Sequence, residues 1–171
     1  LIDPESIYID WDVEIGRDTV IYPNNYLCSG TVIGEGCTLY EGNRLEKSRL
    51  GDGVSIRCST LIEAEVGSNS TVGPNAYLRP KAIVGNNARI GDFVELKNCS
   101  IGNKSKVSHL AYVGDADVGS GCNIGCGVVF VNYDGKHKFR SKIGDNVFVG
   151  SNSNLVAPVV LEDGAYVAAG S

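Results

Sequence analysis

The stretch AIVGNNARIGDFVELKNCSIGNKSKVSHLAYVGDADVGSGCNIG, residues 82–125, places an aliphatic side chain at Val84, Ile90, Leu96, Ile101, Val107, Val113, Val118 and Ile124. Neither the 3.6-residue period of a helix nor the alternation of a flat strand produces a beat of six. Working outward, the beat reaches back through Leu78, Val72, Val66, Leu61, Ile56 and Leu50, then from Leu45 to Ile9. After one pause it resumes at Ile143, Val149, Leu155, Leu161 and Val167. Glycine often follows the aliphatic (Gly16, Gly34, Gly67, Gly102), and a small or branched residue often stands four places on (Cys37, Ser70, Ala88, Cys122). Short repeats must be recognised before any other assignment, and this one specifies a solenoid. A strand, a corner and another strand fit six residues, with the aliphatic and the small residue turned inward. Three strands then close a triangular coil, so residues about 18 apart stack at the sheet spacing of about 4.8 Å. Glycine after the aliphatic is expected to turn the corner with positive φ.

The expected fold is therefore all-β, a parallel β-helix over residues 1–171 with one projecting loop at 130–142. Parallel crossovers are normally right-handed; resemblance to the known class of hexapeptide-repeat chains, not derivation, implies a left-handed coil here. Each coil touches only its neighbours, so 171 residues need no globular core. The sequence has no apolar run long enough to span a membrane and no signal-peptide pattern. Cys28, Cys37, Cys58, Cys99, Cys122 and Cys126 lack paired spacing and read as reduced structural thiols rather than a disulfide framework or zinc site. A net charge of −5 argues against nucleic acid as the main partner and makes individual cations worth tracing. The chain contains no Met, opens Leu1-Ile2-Asp3-Pro4 and stops at Gly170-Ser171, and is expected to be a fragment of a longer protein.

Arg79 and Lys97 fall one coil apart at the same corner. Stacked cations repel by roughly 0.2–1 kcal/mol if exposed, and solvent, Glu95 or a bound anion such as phosphate could compensate. His109, two residues past Val107, points outward at another corner, and Cys126 lies over it on the next coil. Tyr112 lies on the face leading from the His109 corner to the cations, and Asn123 on the neighbouring face. The pause in the beat, Phe130 to Lys142, carries Lys136, Lys138, Arg140 and Lys142 around an Asp134-Gly135 turn signal. Ser151 and Ala169 form a further stacked pair of small residues, which corner packing explains as well as a ligand groove does.

Gly91-Asp92-Phe93-Val94-Glu95-Leu96-Lys97-Asn98, His109-Leu110-Ala111-Tyr112, Asn132-Tyr133-Asp134-Gly135 with Lys138-Phe139, and Gly144-Asp145-Asn146-Val147-Phe148-Val149-Gly150-Ser151 carry a resemblance. They are similar to the acetyltransferase domain of the bifunctional N-acetylglucosamine-1-phosphate uridyltransferase/glucosamine-1-phosphate acetyltransferase family. The resemblance implies acetyl transfer from acetyl-CoA to the amine of glucosamine 1-phosphate, in UDP-N-acetylglucosamine synthesis. It implies His109 as general base; Arg79, Lys97, Tyr112 and Asn123 as the sugar-phosphate site; and Cys126, Asn132, Tyr133, Ser151 and Ala169 as the acetyl-CoA site. Backbone N–H groups near Gly125 to Gly127 would stabilise the oxyanion. It further implies a cytoplasmic homotrimer with sites between subunits, no metal in this domain, and magnesium only in a uridyltransferase part absent from this chain. Cys126 stands where the family pattern usually has Ala, and the family's cationic tail after Ser171 is missing. An acetyltransferase for another amino sugar or sugar nucleotide, or a non-catalytic assembly or regulatory β-helix of a sugar nucleotidyltransferase, are the rival readings. A zinc enzyme of the carbonic-anhydrase type needs three histidines, and the chain has only His109 and His137.

Overall fold

The computed structural model describes residues 1–171 as about nine coils of a left-handed parallel β-helix. The only helical element is a 3₁₀ turn at Pro4–Ser6, and no helix is long and apolar enough to cross a membrane. Every strand-to-strand register is parallel and joins adjacent coils: Ile21 to Leu39, Leu39 to Ile56, Ile56 to Val72, Val72 to Ile90, Ile90 to Val107, Val107 to Ile124. These aliphatics form one continuous core with the small residues Cys37, Ala76, Ala88, Val94 and Cys122. Most interior polar groups are bonded, as where the Asn43 amide donates to Asn25 Oδ1 at 2.9 Å and the Ser70 hydroxyl donates to the Gly85 carbonyl at 2.7 Å, while the Thr31 and Ser141 hydroxyls have no partner. A bonded polar ladder of this kind stays in the core without the cost of orphaned groups.

Of the three faces, the third stands as its own sheet, while the first and second fuse into one. The fusion occurs because Glu95–Ile101 and Tyr112–Val118 run through the corner between them without interruption. Both segments contain a five-residue step, Leu96 to Ile101 and Val113 to Val118, which shortens the corner to a kink within a strand. That corner carries Lys97 and Asn98 on one coil and Gly114 and Asp115 on the next.

Two expectations are corrected here. Glycine after the aliphatic does not in general supply positive φ; Gly73, after Val72, is the exception at 98°. The left-handed residue falls three places after the aliphatic, at Asp18, Asn24, Asn69, Asn87 and Asn146 among others, and two places after it in the five-residue steps, at Asn98 and Asp115. The glycines are required by the coil above: a Cβ on Gly16 would lie 2.5 Å from the Gly34 carbonyl carbon, and one on Gly67 would lie 2.6 Å from that of Gly85. The loop is also shorter than 130–142. Phe130 is fully buried and continues the beat six residues after Ile124, pairing with Leu155. Ser141 to Ile143 is already strand, in register with Ala116 to Val118, so the projection spans 132–140.

A candidate acyl-transfer site on the upper coils

One corner column runs up the solenoid from the registers given above. Two places past the aliphatic it reads Asp92, His109, Cys126, Ser151 and Ala169 on successive coils. The structure thus merges into a single ridge the two stacked pairs expected from the sequence, His109 with Cys126 and Ser151 with Ala169. His109 is exposed, and its Nδ1 lies 2.7 Å from Asp92 Oδ1. The hydrogen bond from His109 holds the Asp92 carboxyl below the usual carboxylate range. An ionised Asp92 can only accept, so the contact places a proton on His109 Nδ1 and turns Nε2 away from the carboxylate. Asp92 was not singled out from sequence; its signal was its place 17 residues before His109, one coil below.

Above His109, the Gly125 and Gly127 amides donate to the carbonyls of Val149 and Leu110. The Cys126 amide is the one of these three without a backbone or side-chain acceptor. The Cys126 residue is exposed. All six cysteines are free, with Cys37, Cys99 and Cys122 buried in the core. Burial pushes the Cys99 thiol up to about 12, so it is inert as a nucleophile.

Beside this ridge, Phe93, Glu95, Leu110, Ala111, Tyr112, Gly127, Val129 and Asn152 line a concavity of about 480 Å³. Phe93 and Leu110 are 60% and 61% exposed and hold φ of 56° and 41°. Bulky residues in the left-handed region cost about 1–3 kcal/mol each and cluster at functional sites. Their sequence signal was a hydrophobic residue where Asn, Asp or Gly usually stands. A second concavity, at Tyr40, Arg57 and Pro74, lies on lower coils away from these groups.

The far side of the same face carries the cations. Arg79 is stacked under Lys97 as expected, and its Nη1 pairs with Glu95 Oε1 at 2.8 Å, so Glu95 compensates one of the two. Lys97 has no carboxylate partner; the Lys138 ammonium beside it, then burial, pull its pKa down. Lys138 comes from the loop and joins the cluster that sequence placed at Arg79 and Lys97. Tyr112 reaches this corner because Gly114 has no side chain: a Cβ there would meet the phenolic oxygen at 2.3 Å.

Asn132, expected at the acetyl-CoA site, is turned inward in this structure. It is 7% exposed, and its amide donates to Asp115 Oδ2 at 2.5 Å and lies 3.4 Å from the Tyr112 hydroxyl. Tyr133 is exposed and donates to the Gly135 carbonyl at 2.6 Å within the loop. The Asp134-Gly135 turn is present, with Asp134 Oδ1 accepting from the amides of Lys136 and His137. Arg140 is not a free loop cation: it grips both Asp117 oxygens and the carbonyls of Asn98 and Ala116. Asn123 lies on the third face, between Lys106 and Phe148, and does not join Tyr112 within one chain.

Comparison with known proteins gives two family matches. The description "Bacterial transferase hexapeptide (six repeats)" matches residues 12–47 and 140–171, and "GMPPB C-terminal domain" matches residues 60–133. The chain is 58% identical over 171 residues to the Bifunctional protein GlmU of Clostridioides difficile and 57% identical to that of Clostridium novyi. It is matched in full in both cases and spans 37% and 38% of those proteins' lengths. Among solved structures, the UDP-N-acetylglucosamine acyltransferase of Arabidopsis superposes with a TM-score of 0.69 at 19% identity, covering 95% of this chain and 72% of that one. That of Campylobacter jejuni gives 0.65 at 18% identity, covering 90% and 66%. These likenesses show the fold. With more than half its residues identical over its entire length, the chain belongs to the GlmU family, as a stretch homologous to the C-terminal part of its members.

Proposed function

We propose that the chain is the acetyl-transferring part of a larger enzyme, moving the acetyl group of acetyl-CoA to the amine of glucosamine 1-phosphate on the way to UDP-N-acetylglucosamine. The observation that carries this reading is the joint placement, around one tyrosine-bearing face, of an aspartate-held histidine and an unneutralised cation pair. His109 Nε2 takes a proton from the attacking amine, and the new C–N bond forms at the thioester carbon. The tetrahedral oxyanion is met by the Cys126 amide, and the C–S bond breaks to release the CoA thiolate. Asp92 stabilises the imidazolium that forms. Lys97 and Lys138, with Arg79 behind them, receive the sugar phosphate, since paired cations suit a dianion. The exposed corners of Cys126, Ser151 and Ala169 offer a path for the long donor along the solenoid axis.

Because Tyr112 and Asn123 occupy different faces, a site containing both needs a second chain, which supports a homotrimer with sites between subunits. Acetyl-CoA as donor implies a cytoplasmic setting. The remaining length of the relatives would hold the uridyltransferase activity. The test is thiol release from acetyl-CoA with glucosamine 1-phosphate, glucosamine and other amino sugars offered in parallel. Preference for glucosamine 1-phosphate is expected; no release with any acceptor overturns the reading.

A further inference from the structure

Beneath the cation corner lies a buried polar group that the proposed chemistry does not use. Asp115 is 9% exposed, sits in the left-handed region at φ 49°, and occupies the kink of the Tyr112–Val118 strand. Its two oxygens are divided between coils. Oδ1 accepts from the Asn98 amide of the coil below and Oδ2 from the Asn132 amide, each at 2.5 Å. Asn132 opens the projecting loop, and its carbonyl accepts from the Phe139 amide at 2.9 Å, closing the loop's base. The other end of the loop is fastened to the same corner by Arg140, on Asp117 and the Asn98 carbonyl. Between these two fastenings stands Lys138.

We propose that Asp115 is a positioning residue: its carboxylate pins the entry of the 132–140 loop to the corner, so that Lys138 is held beside Lys97 where the acceptor's phosphate binds. The phosphate clause rests on the function proposed above; the pinning does not. A carboxylate suits the place because it accepts from two amides at once and donates to neither. A like-charged pair such as Lys97 and Lys138 would otherwise separate, and only a loop held at both ends keeps it assembled before the anion arrives. The same tie reaches Tyr112 through Asn132, so the loop entry and the face of the site are held by one group.

Two readouts test this in Asp115→Ala and Asp115→Asn. The first needs no substrate: trypsin cleavage after Lys136 and Lys138, with thermal unfolding measured alongside. Asp115→Ala is expected to be cut about tenfold faster at an unfolding temperature close to the parent's, consistent with losing two charge-assisted hydrogen bonds. The second is the acceptor dependence. Asp115→Ala is expected to raise KM for glucosamine 1-phosphate about tenfold and leave use of free glucosamine within about threefold, whereas a general structural defect lowers both. Asp115→Asn keeps the size and, by turning its amide and that of Asn132, keeps both hydrogen bonds. It is expected to stay within about threefold of the parent in both readouts. A carboxylate acting only as a repelling charge predicts the opposite sign, a lower KM in both variants. Unchanged cleavage, or a fall in KM in Asp115→Ala, overturns the proposal. If Asp115→Ala does not fold, Asn132→Ala removes the same tie from the loop side and is read by trypsin cleavage alone: faster cleavage supports the tie, and unchanged cleavage overturns it. If the parent transfers no acetyl group, the functional reading fails while cleavage still decides the pinning.

Discussion

On the lower coils, the corner column holds Pro23 and Glu41; on the upper coils, it holds Asp92, His109 and Cys126. The backbone beneath is the same, with aliphatics in unbroken register from Ile21 to Val167. What differs is what stacks outward. The lower coils carry aromatic ladders, Tyr8 on Tyr26 at 4.8 Å and Tyr22 on Tyr40 at 5.4 Å, with the Arg57 guanidinium 4.2 Å over the Tyr40 ring. The upper coils keep one such stack, Phe148 on Tyr166 at 4.7 Å, and add an acid on a base, a cation on a cation, and a loop. A solenoid decouples the two regions because each coil leans only on its neighbours, so one end can be specialised without altering the repeat. The lesson is that inward positions specify the coil and outward columns specify the chemistry.

The comparison breaks most visibly at His109. His109→Ala should lower turnover by about 10²–10⁴ with the unfolding temperature unchanged, whereas Glu41→Ala, in the same column on a lower coil, should leave turnover alone. Steady-state kinetics and thermal unfolding of the two variants decide whether the column acts only at its upper end. Arg79→Ala and Lys97→Ala should each lower kcat/KM for glucosamine 1-phosphate by about 10- to 10²-fold while sparing KM for acetyl-CoA, because each removes a charged partner of one phosphate. An effect confined to acetyl-CoA would show that the corner binds the other substrate.

Asp92→Asn should cost about tenfold in turnover. This is well short of the roughly 10⁴-fold loss when the buried aspartate of a serine-protease triad is replaced, since Asp92 and His109 are both partly exposed. A loss as large as that of His109→Ala would instead make the pair inseparable.

The smallest effect concerns pH. Lys97 is depressed chiefly by Lys138 and then by burial, with Arg79 adding in the same direction and Asp115 opposing. A cation with a depressed pKa loses its proton earlier as pH rises, so binding of the sugar phosphate should weaken on the alkaline side sooner than for an ordinary lysine. Lys138→Gln should move that alkaline limb of the 1/KM profile to higher pH, though it also weakens binding at neutral pH. A limb that does not move would separate Lys138 from Lys97.

The solenoid was legible residue by residue because its contacts are local and periodic: a beat of six with small inward partners fixes which side chains stack, and hence that Cys126 covers His109 and Lys97 covers Arg79. Sequence also marked the Asp134-Gly135 turn, whose geometry is local. Three things came only from the tertiary structure. The reason for the glycines after the aliphatics lies in the carbonyls of the next coil, which no single repeat contains. Phe130 hides inside an apparent interruption because an aromatic filled a place usually aliphatic. The contacts of Asp92, Asp115, Asn132 and Lys138 depend on which side chains meet across coils and across a loop. Periodicity gives the column in which a residue stands, but a side chain's partner is set by rotamer, burial and loop path, and those are fixed only when the coils are packed together.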